Sequence, residues 1–130
     1  MKKIFILGLV LLVSAFALTA IAAPKAPEDG MKMELTKKPV VCDHPTHSKI
    51  ECAACHHPVN GEETYQPCAT AGCHDVLGTK DKSVNSYYQA MHKAKGSKYG
   101  TCVSCHQETA GDDKELKKAL AGCAKSKCHP

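Results

Sequence analysis

The chain has 130 residues, nine cysteines and a formal net charge of +4 at neutral pH. All its cations are lysines, and so slight an excess over the acidic residues excludes the strongly basic composition typical of nucleic-acid-binding domains. Beyond residue 22 the apolar runs are short, and no phenylalanine or tryptophan is present. A small domain with so few large apolar side chains usually needs disulfides, metal ions or a cofactor to complete its interior.

The N-terminal residues have the pattern of a cleaved export signal. Two lysines precede an apolar run over 4–18, and Ala20-Ile21-Ala22 is a small-x-small cleavage site. The alternative is a membrane anchor, but the run is shorter than the ~20 apolar residues that span a bilayer. We therefore expect a signal peptide at 1–22 and one mature domain at 23–130 that is not embedded in a membrane.

The first part of the mature chain is predicted to be extended. Prolines and glycine are scattered among charged residues over 24–41. Two short apolar runs within it, Met31–Leu35 and Val40–Cys42, predict strands joined by a turn at 36–38.

The next segment, 42–75, is dense in cysteine and histidine. Prolines and a glycine interrupt any long helical pattern there. Only short helical turns, around 52–56 and near Cys68, are therefore expected.

A helix is predicted over 83–94. Val84, Tyr88 and Met91 recur at helical spacing on one face, and Ser83 can cap the N-terminus. Glycines follow the segment as helix breakers.

A further helix is predicted over 112–121. Asp112 is the expected N-cap, with an acidic residue three positions on as in a capping box. Gly122 is placed as the stop, and Leu116 and Leu120 form the predicted inward face.

Eight of the nine cysteines fall into four pairs, and each pair is followed directly by histidine. Cys-x2-Cys-His is the attachment signature of a c-type haem, whose two vinyl groups react with the thiols. Histidine follows a given residue by chance about 6% of the time at this composition, so four coincidences have odds of roughly one in 10⁵. The pairs are Cys52 and Cys55 before His56, Cys68 and Cys73 before His74, Cys102 and Cys105 before His106, and Cys123 and Cys128 before His129.

Zinc and disulfides are the competing explanations of the cysteines. Paired cysteines bind tetrahedral zinc in structural sites, but such sites do not need a histidine after every pair. A disulfide framework is typical of small exported domains, yet an odd cysteine count disfavours it and the histidines stay unexplained. Haem attachment is favoured, because four porphyrins would also supply the missing apolar surface.

Four further histidines complete the axial ligands that four haem irons require. Methionine is the competing axial ligand and would raise the reduction potential. Because the eight histidines equal the number of axial positions on four irons, with none left over, we predict that two histidines ligate every haem. Such ligation leaves no open position for a substrate. Electron transfer rather than catalysis is therefore expected. The additional histidines are His44, His47, His57 and His92.

With these motifs the chain resembles the tetrahaem cytochromes c3, the class III c-type cytochromes of sulfate-reducing bacteria. The resemblance covers essentially the whole mature chain. It rests on the alternating two- and four-residue spacers, on the segment 40–47, on adjacent His56-His57, and on the segments 70–74 and 125–129. It implies a small, mostly α fold with much irregular loop and a short N-terminal β-hairpin, wrapped around four covalently attached haems c.

The resemblance also implies a function. A protein of this family would be a periplasmic low-potential electron carrier in anaerobic sulfate respiration, with coupled proton uptake. Its electrons would come from a periplasmic hydrogenase and pass to a membrane-bound multihaem redox complex. The alternative is a terminal metal reductase acting at exposed haems.

Finally, the resemblance implies how the histidines pair. The first haem, on Cys52 and Cys55, would take His56 and His44; the second, on Cys68 and Cys73, would take His74 and His57; the third, on Cys102 and Cys105, would take His106 and His47; and the fourth, on Cys123 and Cys128, would take His129 and His92. Two short segments would then each serve two haems.

One residue departs from the family pattern. Cys42, the ninth cysteine, stands where an aromatic residue is usual. It is either a small buried apolar residue, which we favour, or the site of an intermolecular disulfide.

Lysines concentrate toward the C-terminal haem, where they are expected to steer an acidic partner to it. They are Lys80, Lys82, Lys93, Lys95, Lys98, Lys117, Lys118, Lys125 and Lys127.

Overall fold

A computed structural model describes residues 24–28, 30–33, 35, 38–124 and 126–129. The predicted signal peptide and most of the predicted turn at 36–38 lie outside the described residues. No helix in the described ranges is long and apolar enough to cross a membrane.

The predicted hairpin is present. Strand β1, Met31–Met33, pairs antiparallel with β2, Val40–Cys42, and Met31 lies opposite Cys42. The first strand is shorter than expected, since it ends at Met33. The backbone amide of Gly30 donates to the Asp43 carboxylate at 2.8 Å, which ties the hairpin to the segment that follows.

Short helical turns carry the first cysteine motif and the residues before it. Pro45–His47 forms a 3-10 turn, and helix α1 spans Cys52–Cys55, as expected. Around Cys68 the chain forms hydrogen-bonded turns instead of a helix. One of these bonds runs from the His74 amide to the Cys68 carbonyl at 2.9 Å, and it closes the four-residue spacer into a loop.

A helix is present in the predicted segment, but α2 spans only Tyr87–His92. The predicted start at residue 83 and end at residue 94 were therefore wrong. Its N-cap is Ser86, whose hydroxyl accepts from the Gln89 amide at 3.3 Å. The preceding residues form a turn, in which the Ser86 amide donates to the Ser83 carbonyl. This turn bonds to another segment: the Val76 amide donates to the Asn85 carbonyl, and Val76 bridges Ser86.

Two side chains assigned to that helix therefore have other roles. Val84, predicted on the inward face, is 86% exposed. Ser83, the predicted cap, hydrogen-bonds to the Asp81 carboxylate through both its amide and its hydroxyl.

Helix α3, Cys102–Ala110, is the longest in the described residues and was not predicted. Thr101 caps it, with a reciprocal bond pair between the hydroxyl and backbone groups of Thr101 and Ser104. The helix ends at Gly111, whose positive φ of 54° suits a residue without a Cβ.

Helix α4, Lys114–Ala121, packs against α3 and ends at Gly122, as predicted. Its N-cap is Asp113 rather than Asp112, since the Asp113 carboxylate accepts from the Leu116 amide at 2.9 Å. The inward face is also narrower than expected, because Leu116 is 40% exposed and only Leu120 is half-buried.

The described chain buries very few of its own side chains. Apart from Tyr87 and Ala110, the buried residues there are polar: Ser86, Thr101 and Ser126. Interiors of protein domains are normally close-packed and apolar. The polypeptide therefore does not supply its own core, which matches the composition.

We predict that Ser86→Ala lowers the stability of the protein by about 1–2 kcal/mol, because it removes the cap of α2 and leaves the Gln89 amide without its partner. Thermal unfolding followed by circular dichroism would measure the loss. Ser83→Ala is the matched control and should cost clearly less. An equal or larger loss at Ser83 would contradict the assignment of the cap.

Candidate functional site

The eight histidines form four pairs of facing imidazole rings. The ring centroids are 6.4 Å apart in His44–His56 and 6.1 Å in His47–His106. They are 5.9 Å apart in His57–His74 and 6.1 Å in His92–His129. These are the four combinations that the resemblance implied, and all eight side chains are half-buried.

This spacing is too wide for direct ring stacking and fits a metal ion between the rings. With a metal–nitrogen distance of about 2.0–2.1 Å, as for zinc, and about 1.1 Å from nitrogen to ring centre, two trans imidazoles lie about 6.2–6.4 Å apart. The observed spacings are within a few tenths of an ångström of this value. Within the described residues only two histidines approach each such point, so a metal ion held there would need a further ligand to complete its coordination.

Hydrogen bonds at Nδ1 select the ring tautomer in five of the histidines. In each, Nδ1 lies 2.9–3.3 Å from a backbone carbonyl oxygen, so this nitrogen carries the proton and donates. The other nitrogen, Nε2, is then unprotonated and available to a metal. The bonds run from His47 to Asp43, from His57 to Pro58, from His74 to Val84, from His92 to Tyr88, and from His106 to Leu120.

The Nδ1 atoms of His44 and His129 are buried without a hydrogen-bond partner within the described residues. Buried ring nitrogens normally have partners. Both rings nonetheless lie nearly parallel to their partners, at 9° for His44–His56 and 5° for His92–His129.

The cysteines are placed beside these rings by the local folds. Cys52 and Cys55 lie on α1, while Cys102 and Cys105 lie in the first half of α3, and all four are exposed. A cleft of about 260 Å³ opens beside Cys52 and His56. The two motifs with four-residue spacers, Cys68 with Cys73 and Cys123 with Cys128, lie in loops.

The competing explanations of the cysteines gain no support from the structure. All nine thiols are free, so no disulfide framework is present. Over the described ranges, no three histidine, cysteine or acidic side chains converge as the ligands of a single metal ion would.

The first loop motif is anchored by contacts to the segment before α2. Gly72, with a φ of 84°, turns the chain inside the spacer, and its amide donates to the Asp75 carboxylate at 2.8 Å. The Asn85 side chain donates to the carbonyls of Gly72 and Cys73 at 3.0 and 2.7 Å. The turn that stands in place of the predicted helix start therefore positions a cysteine motif.

The fourth motif is anchored to α4. The backbone amide of Lys127 donates to the Ala119 carbonyl at 3.0 Å, and the Cys128 thiol lies 3.5 Å from the Leu120 carbonyl. The lysines named above are exposed wherever the structure describes them; Lys125 lies outside the described residues.

Three tyrosines lie against the histidine rings; the sequence placed Tyr88 on a predicted helix face and assigned none of the three to the site. Tyr99 stacks on His57 and Tyr88 on His92, each with ring centroids 4.2 Å apart. Tyr65 approaches His56 at 5.7 Å. The sequence did contain a signal for the position of Tyr65. Asn60 and Gly61, both at positive φ, form a tight turn that reverses the chain before Tyr65.

Cys42 is half-buried in β2. Burial, and after it the nearby thiol of Cys55, raises the pKa of the Cys42 thiol, so it stays protonated at neutral pH. This favours the interpretation of Cys42 as a small apolar residue over that of a reactive thiol.

Comparison with known proteins agrees with this geometry. The model of the class III cytochrome C family matches residues 19–129. Cytochrome c3 of Nitratidesulfovibrio vulgaris strain Hildenborough is 57% identical over 129 residues, which cover 99% of each chain. The chain belongs to the class III cytochrome c family.

Solved structures support the same fold. Cytochrome c3 from Desulfovibrio desulfuricans Essex 6 is 42% identical, with a TM-score of 0.77, and the match covers 83% of this chain and all of that one. The nine-heme cytochrome c of Desulfovibrio desulfuricans is 34% identical over 94 residues, 66% of this chain and 26% of its own length. The expected multihaem cytochrome fold, small, with much irregular loop and a short N-terminal hairpin, is thereby confirmed, and its helices are few.

The family also confirms the cofactor. Class III cytochromes bind c-type haems and carry electrons, and four attachment motifs fit a chain with four haems. The facing imidazole rings, the open cleft at Cys52 and the small buried core all fit a chain built around porphyrins.

Proposed function

We propose that the protein is a low-potential periplasmic electron carrier in which each facing pair of histidines ligates one haem. The observation that supports this most directly is the ring spacing, 5.9–6.4 Å in all four pairs. When bound, each haem takes up and releases one electron, so the protein would store as many as four. The eight cysteines of the four motifs would hold the haems through thioether bonds.

The ligand set proposed here favours low potentials. A methionine ligand would raise the potential of a haem. Met91, the nearest candidate by sequence, lies with its sulfur 3.7 Å from the Cys102 sulfur, in a packing position. Five of the ligand histidines donate from Nδ1 to a backbone carbonyl, which makes the imidazole a stronger donor to the iron.

Shared segments would couple the haems. His56 and His57 are adjacent in the chain but face different partners, His44 and His74. His44 and His47 likewise belong to one 3-10 turn, His44 as its N-cap and His47 as its last residue, and they face His56 and His106. Because consecutive Cα atoms are only ~3.8 Å apart, each segment would hold two metal centres close together.

We further propose that the partners are a hydrogenase that supplies electrons and a membrane-bound multihaem complex that receives them, in anaerobic sulfate respiration. Lys117 and Lys118 are exposed on α4, and Lys127 is exposed in the fourth motif, which bonds to α4 through its backbone. We expect these three lysines to form a basic surface near the fourth haem. Such a surface accelerates association with an acidic partner.

Proton uptake is the second part of the proposal. Added negative charge raises the pKa of nearby acids, so the protein would bind protons as it is reduced. Redox-linked conformational changes are described for the cytochrome c3 of Desulfovibrio desulfuricans, which is 42% identical to this chain.

We predict that His57→Met perturbs the haem on Cys68 and Cys73 and raises its potential, since thioether ligation favours the reduced iron. The haem on Cys52 and Cys55, next to the mutation in sequence, should keep its ligands. Solution NMR of the haem methyl groups, assigned through the attached cysteines, would show which haem changes. His56→Met is the control and should give the opposite pattern.

We predict that Lys125→Glu with Lys127→Glu slows reduction by hydrogenase about tenfold or more at low salt, and that the difference shrinks at high salt. Stopped-flow spectroscopy would measure the rates. Lys25→Glu with Lys49→Glu changes the net charge equally outside the basic surface and should have a smaller effect. Equal rates for all variants, with rapid steady-state reduction of ferric ions, would favour a terminal metal reductase.

We predict that the haem potentials fall as the pH rises from mild acid to neutral. If reduction is accompanied by proton binding, a lower proton concentration makes reduction less favourable. Redox titrations over this range would measure the slope. Potentials that are independent of pH would contradict coupled proton uptake.

A further inference from the structure

One of the four histidine pairs has a different orientation. The two imidazole planes are nearly parallel in His44–His56, at 9°, in His47–His106, at 22°, and in His92–His129, at 5°. In His57–His74 the planes cross at 66°. The imidazole planes of His57 and His74, the pair proposed to ligate the second haem, are therefore crossed.

The plane of His74 is held by the backbone. Its Nδ1 donates to the Val84 carbonyl at 2.9 Å, and Val84 lies in the turn that also anchors the cysteine loop through Asn85. A hydrogen bond of this length and a rigid acceptor define the orientation of the ring.

The plane of His57 lacks an equally strong hydrogen bond. Its Nδ1 lies 3.3 Å from the carbonyl of Pro58, the next residue, whereas the other four such bonds measure 2.9–3.1 Å. The ring of Tyr99 stacks on it face to face, with centroids 4.2 Å apart and planes 9° apart. The ammonium of Lys98 lies 5.1 Å from the centroid of the Tyr99 ring, which adds a cation–π contact.

Tyr99 is in turn positioned by the start of α3. The buried hydroxyl of Thr101 donates to the Lys93 carbonyl at 2.9 Å and closes the loop that carries Tyr99. Thr101 is also the N-cap of α3. The loop is thus held at its base by a helix cap, and the half-buried tyrosine ring is directed onto His57.

We propose that Tyr99 is a positioning residue that holds the His57 imidazole across the plane of His74 and so sets the electronic structure of the second haem. This rests on the proposed ligation of that haem by His57 and His74. Parallel imidazoles donate into the same iron d orbital and separate it in energy from its partner orbital. Crossed imidazoles donate into both d orbitals, so the two orbitals stay close in energy. The electron paramagnetic resonance signal of the ferric haem then becomes highly anisotropic, and its reduction potential shifts upward relative to that of a haem with parallel imidazoles.

Electron paramagnetic resonance of the fully oxidised protein tests this directly. The native protein should show one highly anisotropic low-spin haem and three rhombic ones, in line with the one crossed and three near-parallel pairs. In Tyr99→Leu the anisotropic signal should be replaced by a rhombic one and the potential of the second haem should fall. Tyr99→Phe keeps a stacking ring and should retain the native signal.

Tyr88→Leu is the matched control. Tyr88 stacks on His92 at the same centroid distance of 4.2 Å, but that ring also donates to a backbone carbonyl at 3.0 Å and belongs to a near-parallel pair. Its loss should leave the anisotropic signal unchanged. Pyridine haemochrome spectra should show four haems in every variant compared. If the Tyr99→Leu protein carries fewer than four haems, Tyr99→Met, which restores side-chain volume without a ring, is measured in its place. Its anisotropic signal should likewise be replaced by a rhombic one.

The outcomes distinguish the positioning role of Tyr99 from the proposed ligation of the second haem by His57 and His74. An anisotropic signal that persists at full intensity in the ring-less Tyr99 variant would overturn the role of Tyr99 while leaving the ligation intact. If the signal also persists in His57→Met, His57 does not ligate that haem, and the proposed ligation itself fails.

Discussion

The separation of about 6 Å between facing imidazole rings, present in four pairs, is the constraint on which the rest of the structure depends. Each pair joins segments that are apart in the chain, and His47–His106 joins its two halves. The polypeptide buries few side chains with which to hold these segments in place. The ring pairs and the porphyrins between them therefore take the place of an apolar core, and short helices and turns serve mainly to present cysteines and histidines.

Local backbone interactions set the ring positions. Helix caps at Ser86, Thr101 and Asp113 fix where α2, α3 and α4 begin, and these helices carry or support ligands of the third and fourth sites. Carbonyl oxygens then orient five of the rings through Nδ1. Three of the acceptors lie within four residues of their histidine, whereas those of His74 and His106 lie 10 and 14 residues away. Because each of these rings has its own acceptor, each can be oriented independently, which allows one pair to cross while the others lie parallel.

The tyrosines add a second means of adjusting the sites. Tyr88 and Tyr99 make stacks of the same distance, yet they act in different settings: one supports a ring that the backbone already holds, and the other supports a ring with only a long hydrogen bond. Four chemically similar sites can therefore differ in electronic structure without any change of ligand. Such differences are what a carrier needs if electrons are to enter and leave at different haems.

The sequence by itself determined the cofactor class and the hairpin, and it predicts the attachment cysteines, because these depend on residue type and short spacing. It also contained the cap residues, but not which serine or aspartate would be used. Ser83 and Asp112 have the right chemistry for caps, yet Ser86 and Asp113 take those positions. Residues 83–86 form a turn that bonds to Val76, and the turn after Gly111 delays the start of α4. Only the tertiary structure decided which imidazole rings face one another, at what angle, and which tyrosine touches each, because those relations join segments whose separation in sequence carries no information about their distance in space.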